Sequence, residues 1–175
     1  MKRYLLKRPW DINGNNISKR IGCTDDDRRT FTNWMLDHKK GREFVKRTFG
    51  EMHFMWEPLD PVDMPITDYP YTGWPGGIFS QKAIDILGCY LETEGDLHPV
   101  IMTDLSTYYL FDCWSRIALA DYDETSITIS TNIQLPVVFN AHHITELFVS
   151  EDVKRLCEQS GLTGMVFSPV KVIRV

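Results

Sequence analysis

The sequence predicts an α+β fold in a single domain: a mainly antiparallel sheet with several helices packed on it. Three observations lead there. Residues 97–103 and 107–113 read as paired strands, and 126–130 alternates Thr, Ile and Ser with strand period. Segments opening at Ser80 and Ser150 carry an N-cap followed by apolar residues at helical spacing. The chain has 175 residues, 43% hydrophobic and 25% charged, which is enough for one core without disulfide staples.

Residues 1–23 read as an irregular, strand-containing start with a turn at Asn13-Gly14. Thr24 then offers an N-cap, and Asp25, Asp26 and Asp27 occupy the first helical turn, where the positive end of the helix dipole favours carboxylates. Phe31, Trp34, Met35 and His38 follow on one helical face, and Gly41 supplies the stop. Residues 42–56 have mixed period and are read as a short helix leading into a strand. Pro58, Pro61, Pro65, Pro70 and Pro75 forbid regular structure across 57–77, which is expected to be a long loop held down by Tyr69, Tyr71 and Trp74. Residues 1–75 thus form a basic, aromatic subregion of the domain, and 76–175 the rest.

Ser80 caps a helix whose apolar face is Ala83, Ile84 and Leu87, with Gly88 as its end. Asp104-Leu105-Ser106 has the length of a hairpin turn between the two paired strands. Leu135–Phe139 is a further strand, placed at a sheet edge because Pro136 lacks an N–H. Glu146–Val149 is a short apolar strand. Ser150 caps a second helix, with Glu151 and Asp152 in its first turn and Val153, Leu156 and Cys157 facing inward. Gly161 ends it in the left-handed conformation, and Met165–Phe167 is the closing strand.

Cys23, Cys89, Cys113 and Cys157 are scattered and form no C-x-x-C pair. Free thiols are expected, with Cys89, Cys113 and Cys157 buried among apolar neighbours. The apolar run at the start, Tyr4-Leu5-Leu6, is too short for a signal peptide, and no run is long enough for a membrane helix. A cytoplasmic protein with no membrane partner is the expectation.

The net charge of −5 hides an asymmetry: residues 1–56 hold 13 Lys+Arg against 7 Asp+Glu, and the remainder holds 6 against 17. That split suits either internal charge matching or an acidic face turned to a basic partner. The run Lys39-Lys40-Gly41-Arg42, with Lys46 and Arg47 interleaved with Phe44 and Phe49, is a pattern that binds phosphates. The acidic balance elsewhere and the core character of those aromatics argue against it, so a nucleic-acid partner is not expected.

Catalytic motifs are missing: no G-x-S-x-G, H-E-x-x-H, P-loop or G-x-G-x-x-G occurs. Gly73-Trp74-Pro75-Gly76-Gly77 lacks the Lys-Ser/Thr of a phosphate cradle and reads as a turn. His142 and His143 are adjacent, so their rings diverge and rarely share a metal. No catalytic residue, metal or cofactor is assigned. The enzyme alternative is a small hydrolase or transferase using His142 or His143 with carboxylate partners. A regulatory or nucleic-acid adaptor using the basic first third is the other.

From Gly77 onward the order of residues is itself a pattern. Gly77-Ile78-Phe79-Ser80-Gln81-Lys82-Ala83, Leu97-His98-Pro99-Val100, Tyr108-Tyr109-Leu110-Phe111-Asp112, Leu147-Phe148-Val149-Ser150-Glu151-Asp152-Val153-Lys154 and Ser160-Gly161-Leu162-Thr163-Gly164-Met165-Val166-Phe167 follow one another. Together they resemble the bacterial polymorphic-toxin immunity protein family numbered eleven, over about residues 76–168. The resemblance implies a protein that binds and neutralises a cognate secreted antibacterial toxin, of the polymorphic or type VI-delivered kind, by stoichiometric occlusion. The shared residues read as scaffold: Phe79, Leu87, Tyr109, Phe111, Phe148, Leu162 and Phe167 as core, Gly161 and Gly164 as backbone geometry. The partner is then expected to be read by acidic segments, Glu92/Glu94/Asp96 and Asp121/Asp123/Glu124, around an aromatic anchor at Trp74 or Trp114. Monomer and homodimer both stay open.

Overall fold

The computed structural model describes residues 2–7, 18–23, 53–56, 63–70, 72, 76–123, 125–141, 144 and 146–175. The helix expected from Thr24 to Gly41 and the helical start expected after residue 42 lie outside these residues. In chain order the first strands are β1 (Arg3–Lys7), β2 (Ile21–Cys23), β3 (His53–Trp56) and β4 (Ile78–Ser80), followed by helix α1 (Gln81–Leu91). Then come β5 (Gly95–Met102), β6 (Thr107–Cys113), β7 (Arg116–Ile117), β8 (Asp121–Asp123), β9 (Ser126–Ile129), β10 (Val138–Ala141) and β11 (Leu147–Ser150). Helix α2 (Glu151–Gln159) and β12 (Val166–Arg174) complete the described elements.

The strands form a seven-stranded sheet in the order β7-β10-β11-β1-β12-β9-β8 and a five-stranded sheet in the order β2-β3-β5-β6-β4. The pairings β3–β5, β7–β10 and β9–β12 are parallel and the others antiparallel. The first third of the chain supplies strands to both sheets, and β1 lies centrally in the larger one, between β11 and β12.

The expected α+β arrangement, one sheet carrying several helices, is overturned. Among the described residues strands take 47% and helices 17%, with two helices, and both sheets curl like half-barrels. The reason lies in strands such as β1, β10 and β11, which are apolar on both faces. In β1, Leu6 points into a large core with Phe79, Phe111, Leu147, Val153 and Cys157. Its neighbour Leu5 points the opposite way, into a second cluster with Ile127, Phe139, Phe148 and Val170. The stacked rings of Phe139 and Phe148, 4.9 Å apart, sit at the centre of this second cluster. A sheet that buries both faces cannot leave one to solvent. It curls so that its second face closes on itself, while the first face shares a core with the smaller sheet and both helices.

The helices follow their local signals. Ser80 Oγ accepts the Ala83 N–H at 3.1 Å and Ser150 Oγ accepts the Val153 N–H at 3.4 Å. At the end of α2 the Leu162 N–H reaches the Cys157 carbonyl and the Gly161 N–H reaches that of Glu158, with Gly161 at φ +60°. These are the two bonds of a Schellman stop, at the glycine expected to make it. Gly88 does not end α1. The helix continues through it to bury Leu91 beside Ala83 and Leu87. A mid-helix glycine costs only about 1 kcal/mol, which burying one leucine offsets.

Two other expectations fail. Pro136 precedes β10 rather than interrupting it, and β10 is flanked by β11 and β7, so it is not an edge. Cys89 lies on the exposed side of α1, while Cys113 and Cys157 are buried. The prolines that do stand in strands, Pro99 and Pro169, each have a strand partner on one side only. No ladder hydrogen bond is lost there.

Part of the 57–77 loop is anchored by Asp68. Its carboxylate accepts from Ser80 Oγ at 2.7 Å, from the Thr163 N–H at 2.9 Å and from Thr163 Oγ1 at 3.0 Å. The loop is thereby fastened to the start of α1 and to the turn after α2. Gly164, at φ +79°, allows this approach: a Cβ there would stand 2.4 Å from Thr67 Oγ1 and 2.7 Å from the Tyr69 carbonyl.

Candidate functional site

The acidic residues expected to meet a partner divide between the two sheets. Glu92, Glu94 and Asp96 lie at and after the end of α1, leading into β5. Asp121 and Asp123 lie on β8, the last strand of the seven-stranded sheet. Glu124 and Trp74 are outside the described residues, as are His142 and His143.

In the first group only Glu92 presents an uncommitted exposed side chain, its N–H closing the last turn of α1 on the Gly88 carbonyl at 2.8 Å. Glu94 is built into the scaffold. Its carboxylate accepts a short hydrogen bond from the Ser115 hydroxyl and a longer one, 3.4 Å, from the Val137 N–H. Its carbonyl accepts from the N–H groups of Trp114 at 2.9 Å and Ser115 at 3.3 Å. Glu94 therefore ties the turn before β5 to the passage from β6 to β7 and to the start of β10. Asp96 is buried on β5, opposite Asp112. A buried carboxylate offers no charge to a partner, so Asp96 leaves the candidate surface. Trp114 is 42% exposed and held by its backbone against Glu94. Its backbone partner Glu94 stands two residues after Glu92 in the same turn.

The second group lies on an exposed strand. All three residues of β8 are exposed, and β9 is its partner on one side. The register sets Tyr122 opposite Ile127, so Tyr122 shares the inner face of the curled sheet while Asp121 and Asp123 share the outer one. The two acids are not equivalent. Asp123 Oδ1 accepts the N–H groups of Thr125 and Ser126 and the Thr125 hydroxyl, and Oδ2 accepts the Ser126 hydroxyl, each at 2.7 Å. Those hydroxyl and amide donors hold its carboxyl well below the usual carboxylate range. Asp123 is thus the side chain that closes the β8–β9 turn. Among the described residues Asp121 accepts one hydrogen bond, from the neighbouring Tyr122 N–H at 2.9 Å, and its side chain is exposed.

Sequence reading missed two features. Leu105 stands 92% exposed at φ +66° on the tip of the β5–β6 hairpin. The Asp104 carboxylate below it accepts from the Trp56 indole N–H at 2.6 Å and from the Ser106 N–H at 3.0 Å. The signal is the Asp-Leu-Ser turn itself, whose length fits a hairpin but whose residue types do not mark Leu105 as its left-handed centre. The second feature is a basic groove lined by residues of β1 and β12 with Gln134 and Leu135, which are far apart in the chain and form no local motif.

Among the described residues no group of three or more His, Cys, Asp and Glu gathers as a metal site. No helix among them is long and apolar enough to cross a membrane. No family model matches the chain, and no curated protein matches it.

Proposed function

We propose that this protein is a cytoplasmic immunity protein that binds a cognate secreted antibacterial toxin and neutralises it by stoichiometric occlusion. The sequence pattern over residues 76–168 is one support. The observation that carries the reading is β8: an exposed terminal strand with the free charge of Asp121 on its outer face. Among the described residues β8 has one strand partner, β9, and it is short and charged as natural edges are, so a partner would be read through its outer carboxylate rather than by strand pairing. An acidic edge selects a basic partner and speeds its approach. Glu92, at the end of α1, and Trp114, just after β6, are two further exposed side chains beside the smaller sheet, suited to the rim of the same kind of contact.

The test is to titrate this protein against the purified product of the reading frame upstream of its gene, assayed for toxicity. The reading expects a complex of fixed stoichiometry on size exclusion and inhibition that saturates at that ratio. Inhibition by a small fraction of an equivalent would instead mean turnover, and so the enzyme alternative. Retention of DNA or RNA at about 150 mM salt would favour the adaptor.

A further inference from the structure

The seven-stranded sheet carries a groove of about 580 Å³ that its outer acidic residues do not touch. Lys2, Arg3, Lys171 and Arg174 supply half of its lining, and none of the described lining residues is acidic. Against a net charge of −5 for the whole chain, this is a local concentration of cations, two from each end of the chain. Strand period places Arg3 and Leu5 on one face of β1, and Val170, Val172 and Arg174 on the same face of β12, with Arg3 opposite Val170. The apolar inner face of the curled sheet therefore ends in two guanidinium groups.

Arg3 is the unusual member. It is 5% exposed, yet its guanidinium has one hydrogen bond, from Nη2 to the Leu135 carbonyl at 3.0 Å. Nε and Nη1 are buried and meet no acceptor. A buried charged donor left unmatched is costly, and native structures rarely keep one without use. Burial, and then the charge of Arg174, push the Arg3 guanidinium below its ordinary value. Arg174 is itself steered: its Nη1 donates to the carbonyls of Thr131 and Ile133 at 3.1 and 2.8 Å. Lys2 is matched by Glu151 at the exposed rim, at 3.1 Å, and among the described residues Arg3, Lys171 and Arg174 have no carboxylate partner.

We infer that the groove is a binding site for a small organic anion, which sets a carboxylate or phosphate against Arg3 and Arg174 and an apolar body against Leu135 and Val172. Guanidinium groups suit both oxyanions, since their planar donors match carboxylate and phosphate oxygens. The volume suits a metabolite-sized molecule, and the mouth of a curled sheet is a common place for one. This site is independent of the toxin reading, and its failure leaves that reading untouched.

The experiment is calorimetric titration of the full chain with hexanoate and with inorganic phosphate, at ionic strength matched with chloride. Saturable binding of either probe is expected, accompanied by a shift of the Arg3 Nε–H resonance. A stronger response to hexanoate assigns a carboxylate, and a stronger response to phosphate a phosphate ester. Arg174→Gln should weaken binding at least about tenfold, the loss expected for one charged hydrogen-bond partner. Arg3→Met should abolish it. Should that variant not fold, Arg174→Gln and the resonance shift decide. Absence of saturable binding by both probes, or binding that Arg174→Gln leaves unchanged, overturns the inference.

Discussion

The ring of Tyr122 stands edge-on to that of Phe148, with centroids 6.3 Å apart and planes at 89°, although β1, β12 and β9 separate their strands in the sheet. Four strand spacings along a flat sheet would be about 19 Å. The contact is therefore made across the inside of a curl, and it holds the exposed strand β8 over the core. Phe148 is fully buried and Tyr122 is 36% exposed. Phe148→Ala should cost about 3–5 kcal/mol, as large core truncations do. Tyr122→Ala should cost about 1 kcal/mol, the scale of one aromatic pair, and should speed amide exchange in β8 and β9. Urea unfolding of both variants checks this. Equal costs, or no change in exchange, would mean that the curl does not depend on this contact.

Asp68 makes the fold acid-sensitive. Burial alone would raise its carboxyl, but the hydrogen bonds from Ser80 and Thr163 and the charge of Lys82 outweigh that and hold it below its ordinary value of 3.8. A carboxyl with a depressed folded pKa stabilises the fold above the unfolded value and loses that contribution as pH falls through the folded one. Asp68→Asn should therefore be destabilised at pH 7, and its stability should approach that of the unaltered protein as pH drops from about 5 to below 3.8. Denaturation at several pH values reads this directly. A deficit that is constant across the range would remove Asp68 from the account of acid sensitivity.

The thiols should separate by burial. Desolvation pushes both Cys113 and Cys157 up to about 12, whereas Cys89 is exposed on α1. At pH 8 a thiol reagent should modify Cys89 in the folded protein and spare Cys113 and Cys157 until denaturant is added. Peptide mapping by mass would show the order. Early labelling of Cys157 would mean that α2 opens from the core far more readily than its caps and Schellman stop imply.

Asp121 and Asp123 predict different outcomes despite their proximity. Asp123 closes the β8–β9 turn through four hydrogen bonds, so replacing it disturbs the strand as well as the charge. Asp121→Lys alters charge with little structural cost. It should slow association with a basic toxin by roughly 3- to 10-fold at low salt, with the difference closing as salt rises. Stopped-flow association at two ionic strengths is the measurement. An unchanged on-rate at low salt would remove charge steering by β8.

What the sequence made legible was local. The helix after Ser150 could be read because its cap, its acidic first turn and Gly161 all fall within twelve positions and act on their own backbone. The hairpin around Asp104 was legible for the same reason. Gly88 misleads because its low helix propensity is local, whereas the burial of Leu91 that carries the helix past it is tertiary. Strands as short as β7 and β8 have no period to detect. The doubling of the apolar faces on β1, β10 and β11 was visible as Leu5-Leu6, Val138-Phe139 and Leu147-Phe148-Val149, yet its consequence, a curled sheet in place of a helical layer, depends on what covers each face. Site residues followed the same rule. Acidic residues could be listed from the chain, but whether a carboxylate meets solvent, as Asp121 does, or a hydroxyl of its own scaffold, as Glu94 and Asp123 do, is decided by tertiary contacts. Arg3 and Arg174 meet only because β1 pairs with β12.

Survival tests the central claim most directly. A susceptible bacterium would express the reading frame upstream of this gene, with and without this protein. The immunity reading predicts growth when both are made and death when the toxin is made alone. Growth in both cases, or death in both, would contradict it.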